Sequence, residues 1–152
     1  QWRVTTSFTG TALPLSVNLE RADTYGAGSL GTAMTQSSGV FTFPSTGLWQ
    51  VIFFSLHQSS ANNNDAKVNC TIRVSIDSGS NYFAGVQTAV NTHNTSGAAR
   101  GGTYSSYVMD VTNVSTHKVK FEISPTDTTN TTTYGSTNNN FTGMTFIRLG
   151  DT

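Results

Sequence analysis

The chain has 152 residues, and we expect a single domain over residues 1–152 because hydrophobic cores rarely split below about 250 residues. Only 11% of the residues are charged, eight Lys and Arg against eight Asp and Glu, whereas an average soluble protein has about 25%. The zero net charge excludes a nucleic-acid partner, which requires a basic surface, and an aromatic content of 11% disfavours disorder.

Short segments rich in β-branched and aromatic residues recur along the chain, and no window carries the 3.6-residue apolar period of a helix. Gly, Pro, Asn, Asp or Ser bounds each segment. We predict nine strands, over residues 2–8, 15–20, 40–43, 48–57, 67–75, 82–90, 104–111, 118–123 and 141–149. Short strands without intervening helices indicate an all-β antiparallel sandwich or jelly roll, because parallel sheets need helical crossovers.

One predicted strand departs from the alternation of apolar and polar residues that a half-buried strand shows. Residues 48–56 are apolar on both faces for most of their length, whereas the outer face of a two-sheet sandwich normally meets water. Two interpretations are open: a loop or neighbouring strand of the same chain covers the outer face, or another copy of the chain does. The low charge content and the lack of a disulfide make the second attractive.

The predicted strands supply a core of seven residues: Phe41, Phe43, Trp49, Val51, Phe53, Cys70 and Ile72. Cys70 alternates with Val68 and Ile72, so we interpret it as a small hydrophobe on an apolar face rather than a reactive thiol. It is the one cysteine of the chain, which excludes an intrachain disulfide and a thiolate metal cluster. A small domain without a disulfide depends on its core or on oligomerisation for stability.

Three polar segments connect predicted strands, at residues 58–66, 91–102 and 125–140. Such segments are either functional surface or solvated connectors, and six of their residues are candidates for binding through loops: Asn62, Asn63, Asn64, Asp65, Asp127 and Tyr134. The first four offer oxygen ligands that suit Ca²⁺, but one carboxylate among amides gives weak affinity. We therefore predict no metal and no other cofactor.

The residues that usually carry catalysis form no recognisable site. His57, His93 and His117 share no short motif of the kind that binds zinc, no G-x-S-x-G elbow is present, and carboxylates are too few for evident acid–base pairs. Residues 26–31 match G-x-G-x-x-G but do not lie between a buried strand and a helix, so we interpret them as a loop. No stretch reaches the ~18 apolar residues of a membrane span. We expect neither an enzyme nor a membrane-spanning protein.

Residues 39–51 read Gly-Val-Phe-Thr-Phe-Pro-Ser-Thr-Gly-Leu-Trp-Gln-Val and resemble the signature stretch of the C1q/TNF-like jelly-roll superfamily. In that family a short strand leads to Pro, a tight turn, then Gly and an aromatic-aliphatic strand. Residues 140–147 resemble the family's terminal strand, where Phe-x-Gly precedes an apolar finish. Residues 107–111 followed by 118–122 lie where the family has an antiparallel strand pair. One departure is Ser-Thr-His at 115–117, where the family often has Gly-Asp.

The resemblance implies a ten-stranded antiparallel jelly roll that forms a compact homotrimer and binds partners through exposed loops. Four residues on the strands that the family uses are candidates for trimer contacts: Tyr104, Tyr107, Phe141 and Phe146. The charge-poor composition, rich in Ser, Thr and Asn, is similar to that of phage and virus structural proteins with this fold.

These observations lead to two hypotheses about function. The first is a non-enzymatic structural protein of the virion surface, a capsid decoration protein or a fibre-tip domain. Its partners would be further copies of itself, capsid or fibre proteins of the same particle, and host surface glycans. The alternative is a C1q-like extracellular module that recognises carbohydrate through loops such as residues 125–140. Both place the protein on a virion surface or in the extracellular space.

Overall fold

The computed structural model describes residues 1–60, 67–93 and 97–152. Over these residues the chain forms twelve β-strands and no helix, and therefore none that is long and apolar enough to cross a membrane. The strands form one antiparallel sheet of seven strands and one of five. In chain order they are β1 (Trp2–Val4), β2 (Phe8–Thr9), β3 (Leu19–Arg21), β4 (Thr35–Ser37), β5 (Val40–Thr42), β6 (Gly47–Ser59), β7 (Lys67–Ser75), β8 (Phe83–Asn91), β9 (Ala99–Val111), β10 (Lys118–Pro125), β11 (Thr131–Thr133) and β12 (Gly143–Gly150).

Strand β6 is the central strand of the seven-stranded sheet, whose order is β2-β11-β6-β12-β1-β3, with β9 also paired to β6. Its 13 residues pair with all of β9, from Gly47 opposite Val111 to Ser59 opposite Ala99. Gly47 has a φ of 124°, and an added Cβ there would collide with the carbonyl oxygen of Gly150. The Pro-Ser-Thr-Gly turn before β6 therefore needs glycine at its last position.

The five-stranded sheet has the order β4-β5-β10-β7-β8. Strands β10 and β7 pair from Lys118 opposite Ser75 to Pro125 opposite Val68. Strands β4 and β5 form a tight hairpin, because the two residues between them both have positive φ, 50° for Ser38 and 78° for Gly39. This hairpin makes β4 one edge of the sheet, and β8 is the other.

The core fills the space between the two sheets. All seven residues predicted for it are buried, from 0% exposed for Val51 to 6% for Trp49. Rings from both sheets meet there: the centroid of Phe121 lies 5.0 Å from that of Phe53 and 5.5 Å from that of Phe41. Aromatic pairs at these separations add about 0.5–1.5 kcal/mol beyond the area they bury. The aromatic cluster therefore holds the sheets together.

Several predicted strands differ from those in the structure. Residues 2–8 form two strands, because the chain leaves β3 and β12 after Val4 and pairs with β11 from Phe8. The strand predicted over residues 15–20 is reduced to β3, since Asn18 has a φ of 57° that an extended strand does not allow. Strand β4 was not predicted. Residues 125–140, expected to be a connector, contain β11, which together with β2 adds two strands to the ten that the resemblance implies.

Candidate functional site

Strand β6 presents two different faces. Its odd-numbered residues are buried between the sheets, and its even-numbered residues are exposed or half-buried. Leu48, Ile52, Phe54 and Leu56 belong to the second group, so they point away from the five-stranded sheet with part of each side chain accessible to solvent. The sequence left open whether the chain itself covers this face. Over the described residues the chain covers it only in part.

The outward apolar residues of β6 continue onto β9. Tyr104 stands opposite Phe54 and Val108 opposite Gln50, and the two β9 residues are 63% and 52% exposed. Six neighbouring side chains form one surface, called the outer patch from here on: Leu48, Ile52, Phe54, Leu56, Tyr104 and Val108. Large contiguous apolar patches are rare on soluble monomers and mark interaction sites, so the outer patch is the candidate functional surface.

The polar groups at the outer patch are paired within the chain. Gln50 Nε2 donates to Ser106 Oγ over 3.0 Å. At one end of the patch, Gln58 Oε1 accepts hydrogen bonds from Arg100 Nε and from the Tyr134 hydroxyl, each at 2.6 Å. Charged side chains on this face of β9 occur only at its two ends. Burying the middle of the face against a partner therefore desolvates no charge, which keeps the cost of association low.

The four candidates for trimer contacts divide between the two sides of the sheet. Tyr104 and Phe141 are exposed, at 63% and 38%. Tyr107 and Phe146 pack against the core instead, and the Phe146 ring lies 5.1 Å from that of Phe41. Successive strand residues point to opposite faces, so two tyrosines three positions apart cannot share one surface. Tyr107 and Phe146 are half-buried on the side that faces the core, so the outward face that carries Tyr104 does not include them.

The loop-binding candidates do not converge on one site in the described part of the chain. Asn62, Asn63, Asn64 and Asp65 lie outside the described residues. Asp127 accepts hydrogen bonds from the Asn130 side chain at 2.9 Å and from the Asn130 and Thr129 amides at 3.0 and 2.9 Å. These bonds lower the pKa of Asp127, and they engage both carboxylate oxygens in a turn.

Tyr134 stands at the end of the outer patch and not on a free loop. Its ring lies 6.0 Å from that of Phe141 and its hydroxyl donates to Gln58. The Arg100 guanidinium lies 5.2 Å from the Tyr134 ring centroid. Tyr134 and Phe141, predicted for two different roles, are therefore neighbours at one rim of the same surface.

A network of polar side chains inside the sandwich was not predicted. Ser55 Oγ lies 2.7 Å from His57 Nε2, 2.6 Å from Thr103 Oγ1 and 3.2 Å from Cys70 Sγ. His57 Nδ1 lies 3.1 Å from Thr133 Oγ1, and all five residues are buried. Cys70 is buried in the hydrophobic core with Val68 and Ile72, and its thiol also contacts this network. The sequence did carry a signal for this network, because Ser55 and His57 continue the alternation of inward-facing residues along β6.

The ionisable groups of the buried network are held in their neutral forms. Burial lowers the pKa of His57 to about 4 and raises the pKa of the Cys70 thiol, so both groups are neutral near pH 7. A neutral thiol sealed from solvent is not a nucleophile, because the thiolate is the reactive form. Among the described residues, no group of three or more His, Cys, Asp or Glu side chains could hold a metal ion.

Comparison with known proteins supports the fold and goes no further. No protein family model and no curated protein matches the sequence. Solved structures do match: the structure of Eiger TNF from S. frugiperda superposes with a TM-score of 0.69 at 10% sequence identity, over 99% of this chain and 91% of that one. The chain therefore has a TNF-like jelly-roll sandwich fold, as the resemblance implied. A relation to phage and virus proteins stays a prediction.

Proposed function

We propose that this protein is a non-enzymatic structural protein of a virion surface, a capsid decoration protein or a fibre-tip domain, that acts as a homotrimer. The observation that carries the proposal is the outer patch, an apolar surface on β6 and the neighbouring edge strand β9, with charged side chains only at the ends of β9. The resemblance to C1q/TNF-like proteins, supported by the superposition on Eiger TNF, implies that subunits of this shape assemble as trimers.

The position of the outer patch selects the kind of partner that can cover it. The patch lies on the outward face of β6 and of β9, the strand at one edge of the sheet, so a partner must approach the sheet face to bury it. A stable interface buries about 800 Å² per partner, and apolar burial contributes about 25 cal/mol per Å². Further copies of this chain bring the same apolar surface, and a closed ring of three leaves no patch uncovered.

The amino-acid composition favours the hypothesis of a virion-surface protein over that of a secreted module. The chain has 11% charged residues, and its cysteine is free and buried. Small secreted domains commonly rely on disulfides, and a domain without them gains stability by oligomerisation. In this proposal the trimer sits on a virion surface, contacts capsid or fibre proteins of the same particle, and turns its polar loops outward toward solvent or host glycans.

Light scattering after size exclusion tests the assembly. We expect the wild type at three times the chain mass of 16.2 kDa, and Tyr104→Asp at the chain mass because a charge in the patch is costly to bury. The matched control is Phe83→Asp, since Phe83 is also 63% exposed but lies on β8 of the other sheet. A wild type at the chain mass, or a control that dissociates while Tyr104→Asp stays trimeric, contradicts the proposal.

The particle role is tested by sedimentation with capsids that lack the protein. We expect the trimer to bind them to saturation and Tyr104→Asp to bind weakly. A glycan array run on the same samples distinguishes the alternative C1q-like module. Saturable glycan binding without capsid binding would contradict the structural role and support carbohydrate recognition instead.

A further inference from the structure

A cavity of about 590 Å³ lies at one side of the sandwich, beside the outermost strands of both sheets. Arg21 of β3 and Met34, just before β4, both line it and are joined by a hydrogen bond. Its apolar walls come from Trp2, Trp49 and Phe146. Mostly apolar cavities of roughly 300–1,000 Å³ with a few polar groups are typical of small-molecule sites.

The segment that covers the cavity leaves it unfilled. This segment, residues 22–34, connects β3 to β4 and contains the G-x-G-x-x-G match at residues 26–31. A Cβ added to Gly26, Gly28 or Gly31 would meet nothing within 4 Å, and Leu30 is fully exposed. The cavity is lined on this side by small residues of the segment, among them Ala27, Gly28 and Ser29.

The first residues of this cover are held by a buried cation. Arg3 is 1% exposed, and its guanidinium donates to Glu20 Oε1 at 2.7 Å, Thr24 Oγ1 at 2.6 Å and Asp23 Oδ1 at 2.7 Å. Asp23, the acidic residue in the cavity lining, therefore shares the Arg3 guanidinium with Glu20. The segment is therefore fixed where it leaves β3, and its last residue, Met34, is buried in the core.

Arg21 is the polar group at the cavity that lacks a carboxylate. Its guanidinium carbon lies 5.5 Å from the Trp2 ring centroid, and one N–H donates to the Met34 carbonyl at 3.0 Å. No ion pair of Arg21 occurs within the described residues. Arg148, the other arginine at the cavity, pairs with Asp151 and donates to the Thr46 carbonyl. Of the two arginines that line the cavity, Arg21 is therefore the one without a carboxylate partner among the described residues.

We propose that this cavity binds a small amphipathic carboxylate, with its hydrocarbon chain against Trp2, Trp49 and Phe146 and its carboxylate on Arg21. The guanidinium has free N–H groups, and charge-assisted hydrogen bonds to carboxylates are among the stronger ones in proteins. A sugar fits less well, because its many hydroxyls would face apolar walls without hydrogen-bond partners. The cavity shares no lining residue with the outer patch.

Tryptophan fluorescence reports on this cavity alone, because both tryptophans of the chain line it. The wild-type protein is titrated with decanoate, decanol and decyltrimethylammonium below their micellar concentrations. We expect saturable binding of decanoate, with a Kd about tenfold lower than that of decanol, and no saturable binding of the cation. Equal affinities for decanoate and decanol would overturn the role of Arg21, and no saturable change with any probe would overturn the site.

Substitution of Arg21 separates the charge from the cavity. Arg21→Gln is expected to raise the Kd for decanoate about tenfold and to leave that for decanol unchanged, and Arg21→Lys to restore most of the affinity for decanoate. The control is Arg73→Gln, which removes one cation from the other sheet, where Arg73 pairs with Glu122 at 2.7 Å. Decanoate binding by Arg21→Gln as tight as by the wild type, or an equal loss in Arg73→Gln, contradicts the assignment. Circular dichroism of each variant checks that it is folded.

Discussion

The two ends of the space between the sheets are buried to the same extent by different chemistry. Strand β6 lines both: Trp49, Val51 and Phe53 face the aromatic end, and Ser55 and His57 face the polar end. At the aromatic end tilted rings from the two sheets pack against each other, whereas at the polar end side chains of the two sheets are joined by hydrogen bonds. Burial alone therefore does not say what stabilises a position.

This difference predicts how substitutions and pH lower the stability of each end. Apolar side chains lose stability in proportion to the volume removed, because the cavity they leave does not close. Polar side chains contribute little net energy while paired, but a buried group left without its partner costs its full desolvation. The polar end also contains the imidazole of His57, so it responds to pH in a way that the aromatic end does not.

The largest effect is expected at the aromatic end. Phe53→Ala should lower the free energy of unfolding by about 3–5 kcal/mol, because the ring is 0% exposed and packs 5.0 Å from Phe121. Urea denaturation at one fixed protein concentration measures the loss. Leu30→Ala is the control, since Leu30 is fully exposed and should change stability little. A loss below about 1 kcal/mol in Phe53→Ala would show that this end is not the main source of stability.

The next effect is the pH dependence of the polar end. Burial lowers the pKa of His57 from its ordinary 6.5 to about 4, so between these values the unfolded chain binds a proton that the folded chain does not. Stability is therefore complete above pH 6.5, falls as the pH falls, and levels off below pH 4, with a total loss of about 3 kcal/mol.

Urea denaturation at several pH values between 8 and 4 measures this loss. In His57→Gln the fall over this window should largely disappear, whatever the stability of the variant at pH 8. The hydrogen bonds of Asp77 lower the pKa of its exposed carboxyl to about 2, so its own titration acts below the histidine window. An unchanged slope in His57→Gln would assign the pH dependence to other groups.

The aromatic end could be predicted from the sequence and the polar end could not. Runs of β-branched and aromatic residues indicate strands such as β5 and β6, and all seven predicted core residues are buried. Ser59 and Thr131, however, are also buried, although polar side chains at such positions usually indicate solvent. Their burial depends on partners distant in sequence, such as Thr92, whose hydroxyl lies 2.9 Å from that of Ser59.

The sequence predicted which strands carry the candidate site, but it did not predict which residues of those strands share one face. The apolar outer face of residues 48–56 was visible in the sequence, and it is the centre of the outer patch. Tyr104 and Tyr107 were grouped because they share a strand, yet only Tyr104 is on this face. The cavity beside Arg21 could not be predicted, because it is formed by residues from both termini and from the segment 22–34.

A smaller effect is expected from Ser55→Ala at the polar end. The substitution removes little volume but leaves His57 Nε2, Thr103 Oγ1 and the Cys70 thiol without their common partner. We expect a loss of about 1–3 kcal/mol in the free energy of unfolding, measured by urea denaturation at pH 8. Ser106→Ala on the exposed face of β9 is the matched control and should cost little. Equal losses for the two serines would show that burial does not strengthen this network.

The smallest effect is expected at Cys70, which contacts both the aromatic end and the polar end of the space between the sheets. Its neighbours on β7, Val68 and Ile72, belong to the apolar core, while its thiol faces Ser55. Cys70→Ala should cost about 1 kcal/mol, because Ser55 keeps two other partners and only one heavy atom is lost. Since burial raises the pKa of the thiol, Cys70 of the wild type should react with a disulfide reagent only as fast as the chain unfolds. Fast labelling of the native protein would show that the polar end opens independently of the aromatic end.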